Sequence, residues 1–389
     1  MPIVIQSVSL DKYLLWLSSQ LDSESSSNSP PQLWPLTIFS IIPTFLLNQN
    51  IKDKLPRNYP KSEEKIQSYK TVFSLLNSNF KKWFVGFSDA ESCFFIEYKK
   101  SRNNINLAFI IGMHIDDLPL LIYIQKTLGC GKIFINSKKT SCTFIVREFS
   151  AINYILIPIF QEFPLQSKKF LDYLDFLTVA EMIHKKEHLT GTGIHKILNI
   201  KKLMNTGRVN YSLPSNFKFN ITWDWLLGFI EGDGSFYIKE FSPVFSIDLI
   251  FSDQSLLLAI KDFLNVGSVI IKNIPKSRLG TNEQPRASFK IYSIDFFYSY
   301  FVPKFDSLTF LSKKKLDYLD WSIIVKLKYL GYHTLPEGKE LIINLKSRMN
   351  NNRLSTNLQN SLIIDENQIA KVFSLPSPYS IIDGKLSKK

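Results

Sequence analysis

The chain is 389 residues long and carries 47 Lys+Arg against 34 Asp+Glu, a formal charge of +13. That length holds two or three domains with cores of their own, and a content of 45% hydrophobic and 14% aromatic residues excludes a wholly disordered chain. Three cysteines without a C-x-x-C pair exclude a disulfide framework or cysteine zinc site, and no apolar run reaches the roughly 18 residues that span a bilayer, so the expected partner is a polyanion and not a membrane.

In chain order, the first ~75 residues show no sustained period. Residues 1–77 are therefore read as an N-terminal extension of unassigned function. A helix follows with Asn79 as its expected N-cap, ending near Ser92. Next come two strands, Cys93 to Lys99 and Leu107 to His114, and a helix from Leu118 to Leu128 stopped by Gly129 and Gly131. A second hairpin pairs Lys132–Ser137 with Cys142–Arg147, and helices close the unit.

The same order then recurs. Ser167-KKFLDYLD matches Ser312-KKKLDYLD at an offset of 145, Trp83-FVGFSDAES matches Trp225-LLGFIEGDG at 142, and Asp117 to Gly131 matches Asp253 to Gly267 at 136. The offset changes in polar turns, where insertions cost least. The expected fold class is α+β: two pseudo-twofold-related units of order α-β-β-α-β-β-α-α, 78–208 and 220–353, joined by a linker (209–219). Residues 354–389 read as a polar tail. Thr222 is the expected N-cap of the second motif helix.

The chemistry is expected at the two motif helices. Gly86 and Ala90 are four apart, as are Gly228 and Gly232, so each helix carries a small-residue stripe that permits close helix packing. Packed through those stripes, Glu91 and Asp233 meet at one end, where both helix dipoles are negative. Paired carboxylates there stay ionised only beside a cation, and a hard divalent ion such as Mg²⁺ (or Mn²⁺) suits carboxylate and backbone oxygens, including those of Ala90 and Gly232. Glu91 and Asp233 are thus the candidate metal ligands. His184 and His188, four apart, lack an H-E-x-x-H frame.

The stretches Phe84-VGFSDAE-Ser92 and Leu226-LGFIEGD-Gly234 resemble the two signature motifs of the LAGLIDADG homing endonucleases, in particular single-chain members encoded in fungal mitochondrial introns. The resemblance covers about 78–353. It implies a monomer whose two antiparallel sheets form a DNA-binding saddle, and metal-dependent cleavage of double-stranded DNA at a long, asymmetric site, leaving short 3′ overhangs. It also implies Glu91 and Asp233 as the metal-binding catalytic acids, Lys168 and Lys313 as active-site lysines, with Lys169 and Lys314 as neighbours, and a structural or supporting role for Asp89 and Glu231. An RNA maturase acting on its host intron RNA is the alternative. Ser92 departs from the motif's usual glycine, and a left-handed backbone there would strain a serine and loosen the geometry at Glu91.

Candidate DNA contacts cluster on the hairpins: Lys99, Lys100, Arg102, Asn104, Lys132, Lys138, Lys139 and Arg147, then Lys239, Lys272, Lys276, Arg278, Arg286 and Lys290. Lysine far outnumbers arginine, and Phe, Ile, Asn and Tyr abound, a mixture that AT-rich codons supply. A mitochondrial gene is expected, with a chloroplast one as alternative. The first 50 residues contain one positive charge, Lys12, so no transit peptide is expected there.

Overall fold

In the computed structural model, which describes residues 62–273, 285–357, 366–382 and 385–388, the sequence repeat becomes two units of one α+β topology. The first contains α1 (Ser62–Leu75), α2 (Ser78–Glu91), β1 (Ser92–Lys99), β2 (Asn104–His114), α3 (Leu118–Leu128), β3 (Lys132–Ile135) and β4 (Ser141–Val146). A helical run over 149–162 with a π-turn at Ile152–Leu156 forms α4, followed by α5 (Lys169–His184) and α6 (Gly191–Lys202). The second contains α7 (Trp223–Asp233), β5 (Gly234–Lys239), β6 (Ser242–Ile250), α8 (Gln254–Leu264), β7 (Ser268–Lys272) and β8 (Arg286–Ile291). It closes with α9 over 294–306, α10 (Lys314–Tyr329) and α11 (Pro336–Ser347).

Both sheets are antiparallel, with orders β1-β2-β4-β3 and β5-β6-β8-β7. Their registers correspond residue for residue: Ser92 pairs with Ile111 as Gly234 does with Ile247, and Ile110 with Ile145 as Ser246 does with Lys290. Because side chains alternate along a strand, Phe94, Ile96, Phe109, Ile111 and Phe144 point into the first core, and Phe236, Phe245, Ile247 and Phe289 into the second.

Helices α2 and α7 lie between these cores. Phe84, Val85, Phe87, Leu226, Phe229 and Ile230 are wholly buried, so both helices bury their middle turns on more than one side. Thr222 caps α7, its side chain accepting from Trp225 N–H at 3.3 Å. At α2 the cap is Asn77, whose Oδ1 accepts from Asn79 N–H at 2.7 Å, so the helix begins one turn-fraction before the expected Asn79.

Two terminal segments differ from expectation. Tyr69 and Val72 of α1, and Leu76 just after it, join the first core, and Tyr69 donates to Glu148 at 3.0 Å. Part of the extension is therefore structural. At the other end α12 (Glu366–Ser374) packs Val372 and Phe373 on the second unit, where Tyr332 Oη donates to the Leu375 carbonyl at 3.1 Å. A hairpin of β9 (Tyr379–Ile382) and β10 (Lys385–Lys388) follows, so the described part of the expected tail contains a helix and a strand pair.

Candidate active site

Gly86 and Gly228 set how closely α2 and α7 approach. A Cβ on Gly86 would lie 1.9 Å from the Trp225 carbonyl oxygen, and one on Gly228 would lie 2.0 Å from that of Trp83. Each helix thus presses its backbone against the other's through a position where only hydrogen fits. One turn on, a Cβ on Gly232 would meet Ala90 Cβ at 2.3 Å and Glu91 Oε1 at 3.2 Å. Glu91 and Asp233 consequently share one half-buried location at the C-termini of the two helices. Burial and the charge of Glu91 push the Asp233 carboxyl up to about 7, against the pull of Lys169 and Lys314. Burial also raises the Glu91 carboxyl. Two acids that resist ionising together are the signature of a site prepared for added positive charge.

The inner acids tie the helices into the scaffold. Asp89 accepts from Gln166 N–H, Ser167 N–H (both 2.8 Å) and the Ser167 hydroxyl (2.6 Å), and from Trp225 Nε1 of the opposite helix at 2.8 Å. Glu231 answers with Leu311 N–H (2.7 Å), Ser312 N–H (2.5 Å) and Trp83 Nε1 (2.5 Å). Burial raises both carboxyls, that of Glu231 to about 7, despite these bonds. The exchange of tryptophans makes each half's acid depend on the other half's indole.

The lysines beside the acids are Lys169 and Lys314, which corrects the expectation of Lys168 and Lys313. Lys169 Nζ donates to the Ser88 and Ala90 carbonyls at 3.1 Å each, and Lys314 Nζ to those of Gly232 (3.0 Å) and Gly234 (2.5 Å). Burial lowers both ammonium pKa values, opposed by the charges of Asp89, Asp233 and Glu91. Residues 168 and 313 are instead the helix N-caps: Lys168 N–H donates to Asp253 at 2.7 Å and Lys313 N–H to Asp117 at 2.9 Å, each across to the other unit. The Lys313 ammonium is occupied by Asp116 and by the Arg353 carbonyl (2.8 Å). A step of about 100° around the helix separates adjacent residues, and that step decides which lysine faces inward. Asp117 and Asp253, missed in the sequence, carried a visible signal: they open the segments that repeat at offset 136.

Ser92 is also corrected. Its φ of −87° and the −73° of Gly234 are both extended, so no left-handed backbone is demanded. What differs is space. A Cβ on Gly234 would fall 2.7 Å from both Ile230 Cγ2 and the Ile230 carbonyl oxygen, whereas the residue equivalent to Ile230 is Ser88, and Ser92 Oγ donates to the Ser88 carbonyl at 2.7 Å. The pair Ser88/Ser92 replaces Ile230/Gly234 as a unit.

Comparison with known proteins locates the family-model match "LAGLIDADG endonuclease" at residues 84–180 and again at 226–325, together half of the chain. The chain belongs to the LAGLIDADG endonuclease family. It is 30% identical over 279 residues, 69% of this chain and 70% of the other, to a probable intron-encoded endonuclease (Cox1-I1b) of Schizosaccharomyces pombe. It is 25% identical over 378 residues, 88% of this chain and 76% of the other, to a mitochondrial protein (RF1) of Saccharomyces cerevisiae. Among solved structures, the I-LtrWI LAGLIDADG homing endonuclease bound to target DNA superposes with a TM-score of 0.63 at 28% identity, covering 70% of this chain and 98% of that one. I-SmaMI, bound to an uncleaved DNA target with calcium ions, gives 0.61 at 25% identity, covering 70% and 99%.

The LAGLIDADG acids fit a divalent cation in part. Glu91 and Asp233 are hard oxygen donors, but the described residues contain no cluster of three or more His, Cys, Asp or Glu able to hold a metal. The carbonyls of Ala90 and Gly232 already accept from the lysines. An ion at this site needs oxygens from water or from a bound phosphodiester.

The candidate DNA contacts on the hairpins fall into three groups. Lys99, Lys100, Arg102, Asn104, Lys132, Lys138, Lys139, Arg147 and Lys239 are exposed. Lys272 is paired with Asp248 at 2.8 Å, Arg286 donates to the Asp248 carbonyl at 3.1 Å, and Lys290 is half-buried beside Tyr237. Lys276 and Arg278 lie outside the described residues. No helix among the described residues is long and apolar enough to cross a membrane.

Proposed function

We propose that the chain cuts both strands of double-stranded DNA at one long, asymmetric site, leaving short 3′ overhangs, with Mg²⁺ or Mn²⁺ held by Glu91 and Asp233. The observation that carries this reading is the convergence of one acid and one lysine from each half, at a junction where two glycines bring the helix backbones into contact. The bound ion would supply charge to activate water and to neutralise the phosphate as its bond breaks. Glu91 and Asp233 hold their oxygens at fixed places because Trp83, Trp225 and the 166–167 and 311–312 backbones anchor the turns carrying them. Lys169 and Lys314 each spend two of three N–H donors on carbonyls. The third remains for water or a phosphate oxygen, and the fixed ammonium charge stabilises the crowded phosphate. Because the protein alone offers too few ligands, metal binding should tighten when DNA is present.

The relatives support a gene carried in a fungal mitochondrial intron, and hence a target at that intron's insertion point. Purified full-length chain with Mg²⁺ and DNA spanning the intron-less host gene should give a double-strand cut. Absence of cleavage, together with tight binding to the intron RNA, would overturn the proposal in favour of a maturase. Intact cleavage by Glu91→Gln and Asp233→Asn would overturn the assigned site.

A further inference from the structure

Asp117 and Asp253 stand at the N-caps of α3 and α8 with the same φ of −94° and ψ of 13°, yet neither side chain caps its own helix. An aspartate in that place ordinarily accepts from an N–H in the first turn that follows it. Both are turned onto the other unit instead. Asp253 accepts from Lys168 N–H at 2.7 Å and Asp117 from Lys313 N–H at 2.9 Å. Those N–H groups belong to the N-cap residues of α5 and α10, whose own side chains make no capping bond. Each of these helices thus has an orphan donor satisfied by the opposite half of the chain.

The residue after each such N–H is the first of its helix, Lys169 in α5 and Lys314 in α10. These are the lysines whose ammonium groups sit on the carbonyls around Glu91 and Asp233. Within its own half the Lys169 turn is held by Asp89 on the 166 and 167 N–H groups, and by Ser167 Oγ, which accepts from Lys169 N–H at 3.2 Å. Asp253 holds the N–H between them. An acid there also offsets the cost of a lysine at a helix N-terminus. The two sides differ in reinforcement. The Lys313 ammonium is tied to Asp116 and to the Arg353 carbonyl (2.8 Å), and Ser355 N–H donates to Asp116 at 2.9 Å. On the other side Ser252 takes the place of Asp116, and its buried hydroxyl has no partner among the described residues. The charge acting on the Lys168 ammonium is that of Asp253. The Lys169 turn therefore rests more heavily on its aspartate than the Lys314 turn does.

Resting on the DNA-cleaving reading above, we infer that Asp117 and Asp253 are positioning residues for the active-site lysine of the opposite half. Asp253 sets Lys169, and Asp117 sets Lys314. Each acts as a hydrogen-bond acceptor across the interface, and neither joins the metal ligands: the described residues contain no group of three or more such side chains able to hold an ion. A misplacement of about 1 Å at a reacting group can cost about 10²-fold in rate. The loss expected on removing one aspartate is smaller, because the ammonium keeps its carbonyl partners.

The experiment is single-turnover cleavage of end-labelled duplex spanning the intron-less host gene, with the full-length chain and Mg²⁺, each strand followed separately. Asp253→Ala should slow one strand about tenfold, the strand that Lys169→Met slows, and Asp117→Ala should slow the strand that Lys314→Met slows about threefold. DNA binding should hold in both. Asp253→Asn and Asp117→Asn keep an acceptor oxygen and should recover the rate to within about twofold, at unchanged Mg²⁺ dependence. On its own strand, Asp253→Ala should add nothing to Lys169→Met, as expected of two residues acting through one contact. Equal slowing of both strands, weaker DNA binding in place of slower cutting, or asparagine variants as impaired as the alanine ones would overturn the inference while the unaltered chain still cuts. No cutting by the unaltered chain would overturn both the inference and the reading beneath it. Should Asp253→Ala not fold, Lys168→Pro suits the φ of −60° at that position and removes the N–H while leaving the acid. It should slow the same strand more than Lys168→Met does, and an effect no larger than that of Lys168→Met would overturn the inference.

Discussion

Replacing Gly86 or Gly228 by alanine tests the backbone contact on which the site depends. A Cβ at Gly86 would sit 1.9 Å from the Trp225 oxygen, and ordinary contact begins near 3.4 Å, so the helices must part by about 1.5 Å. The obstacle is backbone in a regular helix and cannot swing aside. Overpacking of this kind costs about 1–3 kcal/mol, and the upper end is expected here. Alanine's better helix propensity returns about 1 kcal/mol. The net loss of about 2 kcal/mol should lower the urea midpoint by roughly 1 M for a slope near 2 kcal/mol/M. Cleavage should fall in parallel, because the same separation moves Glu91 away from Asp233. Gly112→Ala is the control: nothing lies within 4 Å of its added carbon, so the midpoint should hold. Unchanged or raised midpoints in Gly86→Ala and Gly228→Ala would refute the argument.

Lys169→Met and Lys314→Met should each cut single-turnover cleavage by about 10²–10³-fold, whereas Lys168→Met and Lys313→Met should cost under about tenfold; the reverse order would restore the original assignment. Asp89→Asn and Glu231→Gln put an amide NH₂ among buried donors and should cost about 1–3 kcal/mol in urea unfolding. For Asp116, burial is outweighed by the Lys313 and Ser355 bonds, which hold its pKa down at about 2, below its ordinary 3.8. A depressed acid contributes stability above the unfolded value that fades as pH falls through the folded one. Acid unfolding monitored between pH 4 and 2 should therefore be blunted in Asp116→Asn. Gly234→Ser should destabilise by about 1–3 kcal/mol, its Cβ meeting both the side chain and the carbonyl oxygen of Ile230 at 2.7 Å, and adding Ile230→Ser should recover only the side-chain part of that loss, a coupling a double-mutant cycle measures.

Much of this was legible from repetition alone. The strand pairs, the helix stripes and both acids follow from two copies of one pattern, because periodicity and spacing are local. Three matters were not. Repetition cannot choose between Lys168 and Lys169, since both copies carry Lys-Lys and only the helix phase set by the cap decides. Reading Ser92 alone suggested strain, because the motif's usual glycine points to a left-handed backbone, whereas the chain leaves this helix directly into an extended strand at a φ of −87°. The apolar residues Tyr69, Val72, Phe73 and Leu76 do have helical spacing, but the run is too short to stand out without the core it covers.

The crossed tryptophan bonds have a bearing on how the molecule is held together. Trp83 serves an acid of the second half and Trp225 an acid of the first. Neither half, made alone, closes its own hydrogen bonds, so each is a ready receptor for the other. The linker 209–219 then needs to supply only proximity, and severing it should yield two fragments that find one another and reassemble. Such a split chain would switch its chemistry on by meeting its complement, with total concentration as the control.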